Sequence, residues 1–458
     1  MQKQSHVQMK LAQIFIFIFT AMFPIKAASA DSVKTLIDYF QPTPIYDKLS
    51  TTAWGAATVG PRDIHNGLED TTGKQWQYWD GKIIKGPDGK YHMFASRWPQ
   101  SNGMSGWSGS SAVHAVSDNP AGPYVDKGLC WPDNENGKGH NVTALALLDG
   151  TYAALVSDTR PGDFFTSASL DGPWTYQGSI KIDANGFSAP ATKNLSFLER
   201  PDGSFLMVSK HGIIMISTSG LTGPYKVQGN SVFPQAYDGS NEDPVIWYSG
   251  GQYHIVANWF TARKSLHLVS ADGVDNWKNM GLACDPTSNM VRYTDGTVNH
   301  WYDMERPNVL IENGHVTHFT FAVIDVDKSV DVGNDNHGSK VIVVPFDGVS
   351  FDGGTPNLLN GVRTNGDTRT ISIGIKGYAM ASRKTFIVLA DAANGAARLS
   401  IGLYDMKGRL IASLFNGPSN GKNQDINVDL DRVKARPGVY CISLRSGNRI
   451  LSDRINIQ

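Results

Sequence analysis

Apolar residues along this chain fall into short alternating runs that recur behind a common turn signal. Five times a glycine-led turn, most often Asp-Gly, leads directly into an apolar strand. Such dipeptides favour the left-handed backbone of hairpin turns, which matches the twist of paired strands. The five turn-and-strand segments are residues 88–94, 149–155, 202–208, 250–256 and 313–319. The pattern therefore predicts five β-units at intervals of roughly 48 to 63 residues, a spacing typical of repeat architectures.

A second signal recurs in step with the first and places an aromatic residue near the end of four repeats. Gly-Pro precedes Tyr124, Trp174 and Tyr225, and Asp-Asn precedes Trp277. We interpret each as an outer hairpin whose aromatic side chain packs between neighbouring units. With the apolar strand before each turn, four strands per repeat are predicted, and five repeats make a five-bladed β-propeller. Two stacked β-sandwiches are the alternative, but they do not explain why both signals recur in phase.

The pattern changes after the last repeat, and this change sets the expected domain boundaries. A strand over residues 339–346 is predicted to end the ring, so the propeller domain spans residues 31–347. Residues 348–384 are predicted to form a connector that is rich in Gly and Asn. Residues 385–458 alternate as strands of a small C-terminal β-sandwich, which makes the whole chain all-β.

The composition excludes some classes of protein, and the N-terminal segment indicates where the protein is located. The net charge is −1 and aromatic residues make up 10%, which excludes a disordered chain and a basic nucleic-acid-binding surface. Lys10, the apolar run 11–25 and the small residues 28–30 are typical of a cleaved signal peptide over residues 1–30. The same run could be a membrane anchor, although it is short for one. No later apolar run approaches about 18 residues, so we expect no membrane span and a secreted or cell-surface protein.

Candidate chemistry lies at the starts of the blades, because the first strand of a propeller blade lines the central channel. Each predicted inner strand is preceded by polar residues, which are Asp80, His140, Asn141, Asn194, Glu242, Asp243, Glu305 and Arg306. Cleavage of a glycosidic bond needs a proton donor and a proton acceptor, and these carboxylates could supply both. Simpler alternatives exist: Asp80 could open a turn, Glu305 could pair with its neighbour Arg306, and His140 could be a core histidine.

The order of these motifs resembles the five-bladed β-propeller glycoside hydrolases, a superfamily that includes families 43, 32 and 117. The resemblance covers residues 54–347 and rests on segments 85–94, 139–141, 242–244 and 305–307. It implies a hydrolase of a branch close to family 43, which acts on plant or algal polysaccharide or oligosaccharide and requires no cofactor. Residues 31–347 would then be the catalytic domain.

The resemblance also implies roles for individual residues. Asp80 would be the general base that activates water, and Glu242 the general acid that protonates the leaving oxygen, with inversion at the anomeric carbon. The family places an Asp in blade three to orient the acid, whereas this chain offers Asn194 there. Asp243 or Glu305 could supply the missing negative charge, or the acid could be a different residue, with His140 as a candidate.

Further residues are expected to hold the substrate or an ion. Trp98 could stack on a sugar ring, and the alternative is that it packs between blades. Hydrogen bonds to hydroxyl groups are expected from His140, Asn141, Asn194, Lys210 and Arg306. His337 lies in a segment similar to the family element that holds an axial cation, and it is a candidate for binding Ca²⁺ or its hydration shell. The alternative is an ordinary loop histidine.

The C-terminal segment resembles the sorting domain of type IX secretion substrates over residues 403–410, 436–440 and 444–447. That resemblance implies the type IX secretion machinery as a partner and export across an outer membrane. A carbohydrate-binding sandwich is the alternative, but Tyr404 and Tyr440 are among few aromatic residues that could serve it.

Two other functions are compatible with the same scaffold. A polysaccharide lyase would need a base and a cation that neutralises a uronic carboxylate, for which the candidates are His140, Lys193, Lys210, His211 and Arg306. A non-catalytic glycan-binding propeller would bind without turnover. A phosphorylase would require a basic phosphate pocket that the sequence does not identify.

Overall fold

In the computed structural model, the described residues from Thr35 onward form mostly antiparallel β-sheets. The predicted signal peptide, residues 1–30, lies outside the described residues. Among the residues described, no helix is both long and apolar enough to cross a bilayer. The structure describes residues 34–160, 162–234, 240–353, 373–377, 385–390, 398–405, 409–418, 424–429, 438–446 and 449–457.

Five of the sheets are the blades of a five-bladed β-propeller, which confirms the predicted fold. In each blade the strands follow one another through hairpins, and the first strand is innermost. Blade one contains β3 (Trp76–Lys85), β4 (Tyr91–Pro99), β5 (Ser111–Ser117) and β6 (Val125–Leu129). Blade two contains β7 (Val142–Ala146), β8 (Tyr152–Val156), β9 (Asp163–Ser167) and β10 (Thr175–Ser179).

The remaining blades vary in strand number. Blade three contains β12 (Ser196–Glu199), β13 (Phe205–Val208), β14 (Ile214–Ser217) and β15 (Tyr225–Val227), with β11 (Ile182–Asp183) parallel to β15 at its edge. Blade four contains β16 (Asn241–Ser249), β17 (Gln252–Trp259), β18 (Lys264–Ser270) and β19 (Lys278–Cys284). Blade five contains β20 (Asp303–Glu312), β21 (His315–Ile324) and β22 (Ser339–Pro345).

Outside the strands of the blades, the described residues between 34 and 353 form only short elements. These are the paired strands β1 (Leu49–Ser50) and β2 (Arg62–Asp63), the helices α1 (Ala56–Val59) and α2 (Gly348–Phe351), and 3₁₀ helices at Leu36–Tyr39, Gln100–Asn102, Met104–Gly109, Glu135–Gly137 and Phe260–Ala262.

The ring is held together because each blade buries apolar side chains on both faces. Successive side chains on a strand point to opposite faces, so neighbouring residues can serve neighbouring interfaces. In blade two, Phe165 packs with Phe94 of blade one, whereas Phe164 packs with Phe197 of blade three. Further clusters join blades three and four, four and five, and five and one. Five apolar interfaces therefore close the circle.

The N-terminal part of the chain closes the ring by adding to the last blade. Leu68 pairs with Val341 of β22 through two backbone hydrogen bonds of 3.0 Å. Beside it, the Asn66 side chain bonds both backbone groups of Val343. Blade five has three strands of its own, so this segment supplies its outer edge.

A buried ion network anchors the same closure. The side chain of Glu69 is buried, and its carboxylate accepts hydrogen bonds from both terminal guanidinium nitrogens of Arg62 at 2.6 Å. Lys340 of β22 donates to the same carboxylate, and burial lowers the pKa of its amine to about 8. The Arg62 guanidinium also lies 4.5 Å from the ring centre of Trp54. One carboxylate therefore compensates two buried cations at the junction.

The predicted aromatic markers lie at equivalent places. Tyr124, Trp174 and Tyr225 are buried, each after a cis Gly-Pro peptide, and Trp277 is partly buried against the cluster between blades three and four. This placement agrees with our interpretation that these aromatic residues pack in the outer hairpins.

The C-terminal part contains two further antiparallel β-sheets. One sheet contains β23 (Ile373–Gly377), β24 (Thr385–Ala390) and β27 (Gln424–Asp429), and the other contains β25 (Arg398–Tyr404), β26 (Leu410–Pro418), β28 (Gly438–Ser446) and β29 (Arg449–Ile457). Strand β23 falls inside the predicted connector, residues 348–384. Its Ile-Gly-Ile sequence is too short and too rich in glycine to signal a strand by itself.

Replacing Glu69 with Gln should strongly destabilise the propeller, because Arg62 and Lys340 would both remain buried without a carboxylate. We expect a loss of about 3–5 kcal/mol in the free energy of unfolding, measured by urea denaturation. Asp118→Asn is the control, since Asp118 pairs with Lys90 in an exposed salt bridge that contributes little. Equal losses in the two variants would contradict this account of the closure.

Candidate active site

Five residues in a left-handed backbone conformation, one from each blade, lie just before the inner strand or within its first half. Asp80 has a φ of 70°, Asn141 of 55°, Asn194 of 47°, Asp243 of 51° and Arg306 of 48°. In blades one, four and five a β-bulge lies at the same point, and bulges redirect side chains. Asn and Asp tolerate this conformation better than other non-glycine residues. All five side chains are buried around the axis of the propeller, and we call them the axial ring.

Arg306 is the central member of the axial ring. Its Nε donates to Asp80 Oδ1 at 3.1 Å, and its Nη1 donates to Asp243 Oδ1 at 3.3 Å. On the opposite side of the ring, Asn141 Nδ2 donates to Asn194 Oδ1 at 2.8 Å. The sequence hypothesis of an ion pair between Glu305 and its neighbour Arg306 is therefore replaced by a triad that joins blades one, four and five.

The carboxylate of Asp80 is fully enclosed by hydrogen-bond donors. In addition to Arg306, it accepts from the Ser96 hydroxyl and from the backbone N–H of Val142 at 2.9 Å. Its exposure is 0%. A general base must reach a water molecule beside the substrate, so this environment suits a positioning role better than the role of base that the resemblance implies.

Two glutamates lie beside the axial ring and are less enclosed. Glu242 precedes Asp243 and Glu305 precedes Arg306 in the chain, with 16% and 9% of their side chains exposed. One oxygen each of Glu242, Asp243 and Glu305 lies within 4.8 Å of the other two. The structure thus brings together three of the four predicted catalytic carboxylates.

Each glutamate is held by a lysine. Lys210 Nζ lies 2.6 Å from Glu242 Oε2, and Lys328 Nζ donates to both oxygens of Glu305 at 2.7 and 2.6 Å. Lys210 was predicted as a substrate-binding residue, but its amine contacts a carboxylate of the site. Lys328 was not predicted, because it comes from the long connection between β21 and β22, in which the sequence analysis identified only the segment around His337.

The electrostatics of the cluster favour a retained proton. Burial raises the pKa of Asp243 to about 7, and the negative charges of Glu242 and Glu305 act in the same direction, whereas Arg306 opposes the shift. Burial also raises the pKa of Asp303, at the start of β20, to about 6. Carboxylates this close cannot all ionise without repulsion. The site therefore holds a proton near neutral pH.

The wall of the site on the side of blade one is aromatic and closed. His140 donates to or accepts from Ser110 Oγ at 3.0 Å, and its ring packs against Trp98 and Trp107. Burial lowers the pKa of His140 to about 4, so it is neutral at pH 7. The prediction that Trp98 stacks on a sugar is wrong, because Trp98 is 1% exposed and its indole N–H donates to the Gly103 carbonyl at 2.9 Å.

An exposed aromatic residue that the sequence analysis missed lies on the other side. Phe260 is 47% exposed, and the amine of Lys328 lies 5.4 Å from its ring centre. Phe260 follows β17 in a 3₁₀ helix. The signal that could have found it is its position at the end of the second strand, which is equivalent to the position of Trp98 in blade one.

His337, the candidate for calcium binding, lies in a different environment from the one expected. Its Nδ1 lies 2.8 Å from Asp325 Oδ2, and this carboxylate raises the pKa of the imidazole. In the described part of the chain, His337 belongs to neither cluster of three or more potential metal ligands. One imidazole paired with one carboxylate does not fit the six to eight oxygen ligands that Ca²⁺ takes. The positive charge on the axis comes from Arg306 instead.

Comparisons with known proteins give structural likenesses only. No family model and no curated protein matches this sequence. The chain is similar to a family 43 β-1,3-galactosidase solved with galactodeoxynojirimycin, with 16% identity, coverage of 66% of this chain and 100% of that chain, and a TM-score of 0.43. It is also similar to a family 117 glycoside hydrolase from the marine bacterium Zobellia galactanivorans, with 13% identity, coverage of 62% and 88%, and a TM-score of 0.42. For a family 43 endo-arabinanase from Bacillus licheniformis, the identity is 15%, the coverage 59% and 93%, and the TM-score 0.40.

The raised pKa of Asp243 predicts a pH dependence of stability. Between about pH 4, where an unfolded Asp titrates, and about pH 7, the native state binds the extra proton. Stability should therefore fall as the pH rises through this window, by on the order of 4 kcal/mol from this residue. Asp243→Asn should remove that part of the slope, as measured by urea denaturation at several pH values.

Asp303→Asn is the matched comparison for this measurement. The pKa of Asp303 is raised only to about 6, so its removal should flatten the slope below pH 6 and leave the slope between pH 6 and 7 in place. A wild-type stability that rises between pH 4 and 7, or a slope unchanged in Asp243→Asn, would contradict this assignment.

Proposed function

We propose that this protein is a glycoside hydrolase that cleaves plant or algal polysaccharide or its oligosaccharides. The observation that carries the proposal is the group formed by Glu242, Asp243 and Glu305 beside the axis of the propeller. The side chain of Glu242 is 16% exposed and that of Glu305 is 9% exposed, whereas Asp243 is buried and has a raised pKa. Glycoside hydrolysis needs two such carboxyl groups and a proton that is retained near neutral pH.

In this proposal Glu242 and Glu305 face the substrate. Glu242 protonates the leaving oxygen, and Asp243, its chain neighbour, keeps a proton in the cluster by repulsion between the carboxylates. Asp80 and Arg306 act as positioning residues below them. Lys210 and Lys328 hold the two glutamates in place through contacts of 2.6 Å.

The distance between Glu242 and Glu305 bears on whether the reaction retains or inverts the configuration of the anomeric carbon. Their nearest oxygens lie within 4.8 Å, whereas inverting enzymes separate the carboxyl groups by about 6.5–9.5 Å to admit a water molecule. We therefore propose that Glu305 acts as the second carboxylate in a retaining reaction. Inversion, which the family resemblance implies, would require Asp80 as base.

The lyase alternative finds less support in the charges of the site. A uronic carboxylate would need a free cation, but Lys210 pairs with Glu242, Arg306 lies between two aspartates, and Lys193 lies 3.5 Å from Asp158. His140 is buried behind the tryptophans. No specific observation favours this function, and we treat it as an outcome of the test.

Glu242→Gln and Glu305→Gln should each lower kcat/KM at least about 100-fold on a glycan that the protein cleaves, because each removes a carboxyl group from the reaction. Reducing ends should form without absorbance from unsaturated sugars. Glu312→Gln is the control, since this glutamate pairs with Lys85 at the far end of β20. The first anomer formed, followed by proton NMR, should keep the configuration of the substrate.

Other outcomes would overturn parts of this proposal. Unsaturated products that persist in Glu242→Gln would establish a lyase. Activity that survives in Glu305→Gln but is lost in Asp80→Asn with an unchanged Tm, together with inversion, would restore Asp80 as base. Binding of a glycan with no turnover over a broad panel would support a non-catalytic binding protein.

We also propose that the protein is exported to the cell surface or the medium through its N-terminal segment, and that the type IX secretion machinery recognises its C-terminal part. The support is the signal-like pattern of residues 1–30 and the motifs at 403–410 and 436–440. Loss of export on deletion of residues 385–458 would test the second statement.

A further inference from the structure

A second ring of side chains surrounds the central channel, two positions after the axial-ring residue in each blade. These side chains line a cavity of about 140 Å³, and they are Lys82, Thr143, Ser196, Val245 and Asn308. Each inner strand runs on from its axial-ring residue to the second ring, whereas Glu242 and Glu305 precede the axial ring in the chain. The second ring therefore lies further along the channel, away from the candidate active site.

The polar members of the second ring can all donate hydrogen bonds. Thr143, Ser196 and Asn308 are only 4–6% exposed. Among the described residues, the Thr143 hydroxyl has no hydrogen-bond partner. Ser196 Oγ accepts from the backbone N–H of Ile246 at 3.1 Å, which leaves its own hydrogen available, and Asn308 Nδ2 makes one long contact of 3.5 Å to the Arg306 carbonyl. Buried donors are thus available to a ligand in the cavity.

Lys82 gives the second ring a positive charge, and within the described part of the chain no carboxylate pairs with it. Its Nζ donates to the Val309 carbonyl at 2.8 Å, which uses one of three N–H groups. Burial lowers the pKa of the amine to about 8, so it still carries its proton at pH 7. Glu199 also lines the cavity, but its carboxylate accepts from the backbone N–H of Leu148 at 2.6 Å. A buried charge is costly unless an opposite charge compensates it.

We propose that the second ring binds a small monovalent anion such as chloride, held by the Lys82 ammonium and the hydroxyl groups of Thr143 and Ser196. The ammonium would repel a cation. Water could accept the same hydrogen bonds, but it would not compensate the charge. A cavity of about 140 Å³ has room for the ion and several water molecules. The anion would link blades one, two and three, and this site does not depend on the proposed catalytic activity.

The test is thermal unfolding of the full-length protein at pH 7 with increasing chloride. Sodium methanesulfonate replaces sodium chloride, so that the ionic strength stays constant. Tm should rise with chloride, because the ion binds only the folded state. Lys82→Met should abolish this rise, since it removes the charge and retains a long side chain. Thr143→Val, which removes one hydroxyl group and keeps the shape, should require about 10-fold more chloride for the same rise.

A matched lysine and a heavier ion separate this site from general salt effects. Lys85 lies in the same strand and pairs with Glu312 on an exposed side, so Lys85→Met should keep the wild-type response to chloride. Crystals grown in sodium bromide should show an anomalous scattering peak in contact with Lys82 Nζ.

Three results would each overturn the proposal. The first is a Tm that is the same in chloride and in methanesulfonate. The second is a full response to chloride in Lys82→Met, or in Thr143→Val if Lys82→Met does not fold. The third is bromide found only outside the channel.

Discussion

An arginine held between two aspartates on the axis of the propeller is the interaction on which this structure depends. Arg306 reaches Asp80 of blade one and Asp243 of blade four from its own position in blade five. Three charges buried together are tolerable only while each has its partners, since removal of one leaves the others desolvated and unpaired. The triad therefore requires the three blades to keep their mutual positions, and the left-handed backbone at each inner strand directs the side chains to it.

The axial ring also determines where the candidate chemistry can lie. Glu242 and Glu305 are the chain neighbours of Asp243 and Arg306, so the conformation that buries the ring residue leaves the preceding glutamate closer to solvent. The two glutamates come close because Arg306 and Asp243 are in contact below them. Crowded carboxylates retain a proton, while the lysines limit their repulsion. The buried triad on the axis and the two glutamates beside it therefore depend on the same backbone conformation.

The histidine pairs of blades one and four show how a repeated framework acquires different chemistry. The second and third strands of each blade place two imidazoles side by side, 2.9 Å apart for His92 and His114 in blade one and 3.0 Å apart for His254 and His267 in blade four. In blade four a backbone carbonyl and apolar rings surround the pair, which is complete in its hydrogen bonds. In blade one carboxylates lie at both ends, and one of them belongs to the next blade. The strands of each blade place the two imidazoles side by side. In blade one, the turn of the neighbouring blade adds a carboxylate that has no counterpart among the contacts of the pair in blade four.

The sequence by itself determined the number of blades and the residues at the starts of their inner strands, because turn dipeptides and strand alternation are local properties of a few consecutive residues. Tertiary structure decided which of those residues meet. Asp80 and Arg306 are 226 positions apart, and their contact exists only because the ring closes. The same closure buried Trp98, which the local pattern suggested as a surface for sugars. It also brought Lys328, which belongs to no sequence motif, to Glu305. Burial and contact depend on the packing of distant segments, and no short stretch of sequence encodes them.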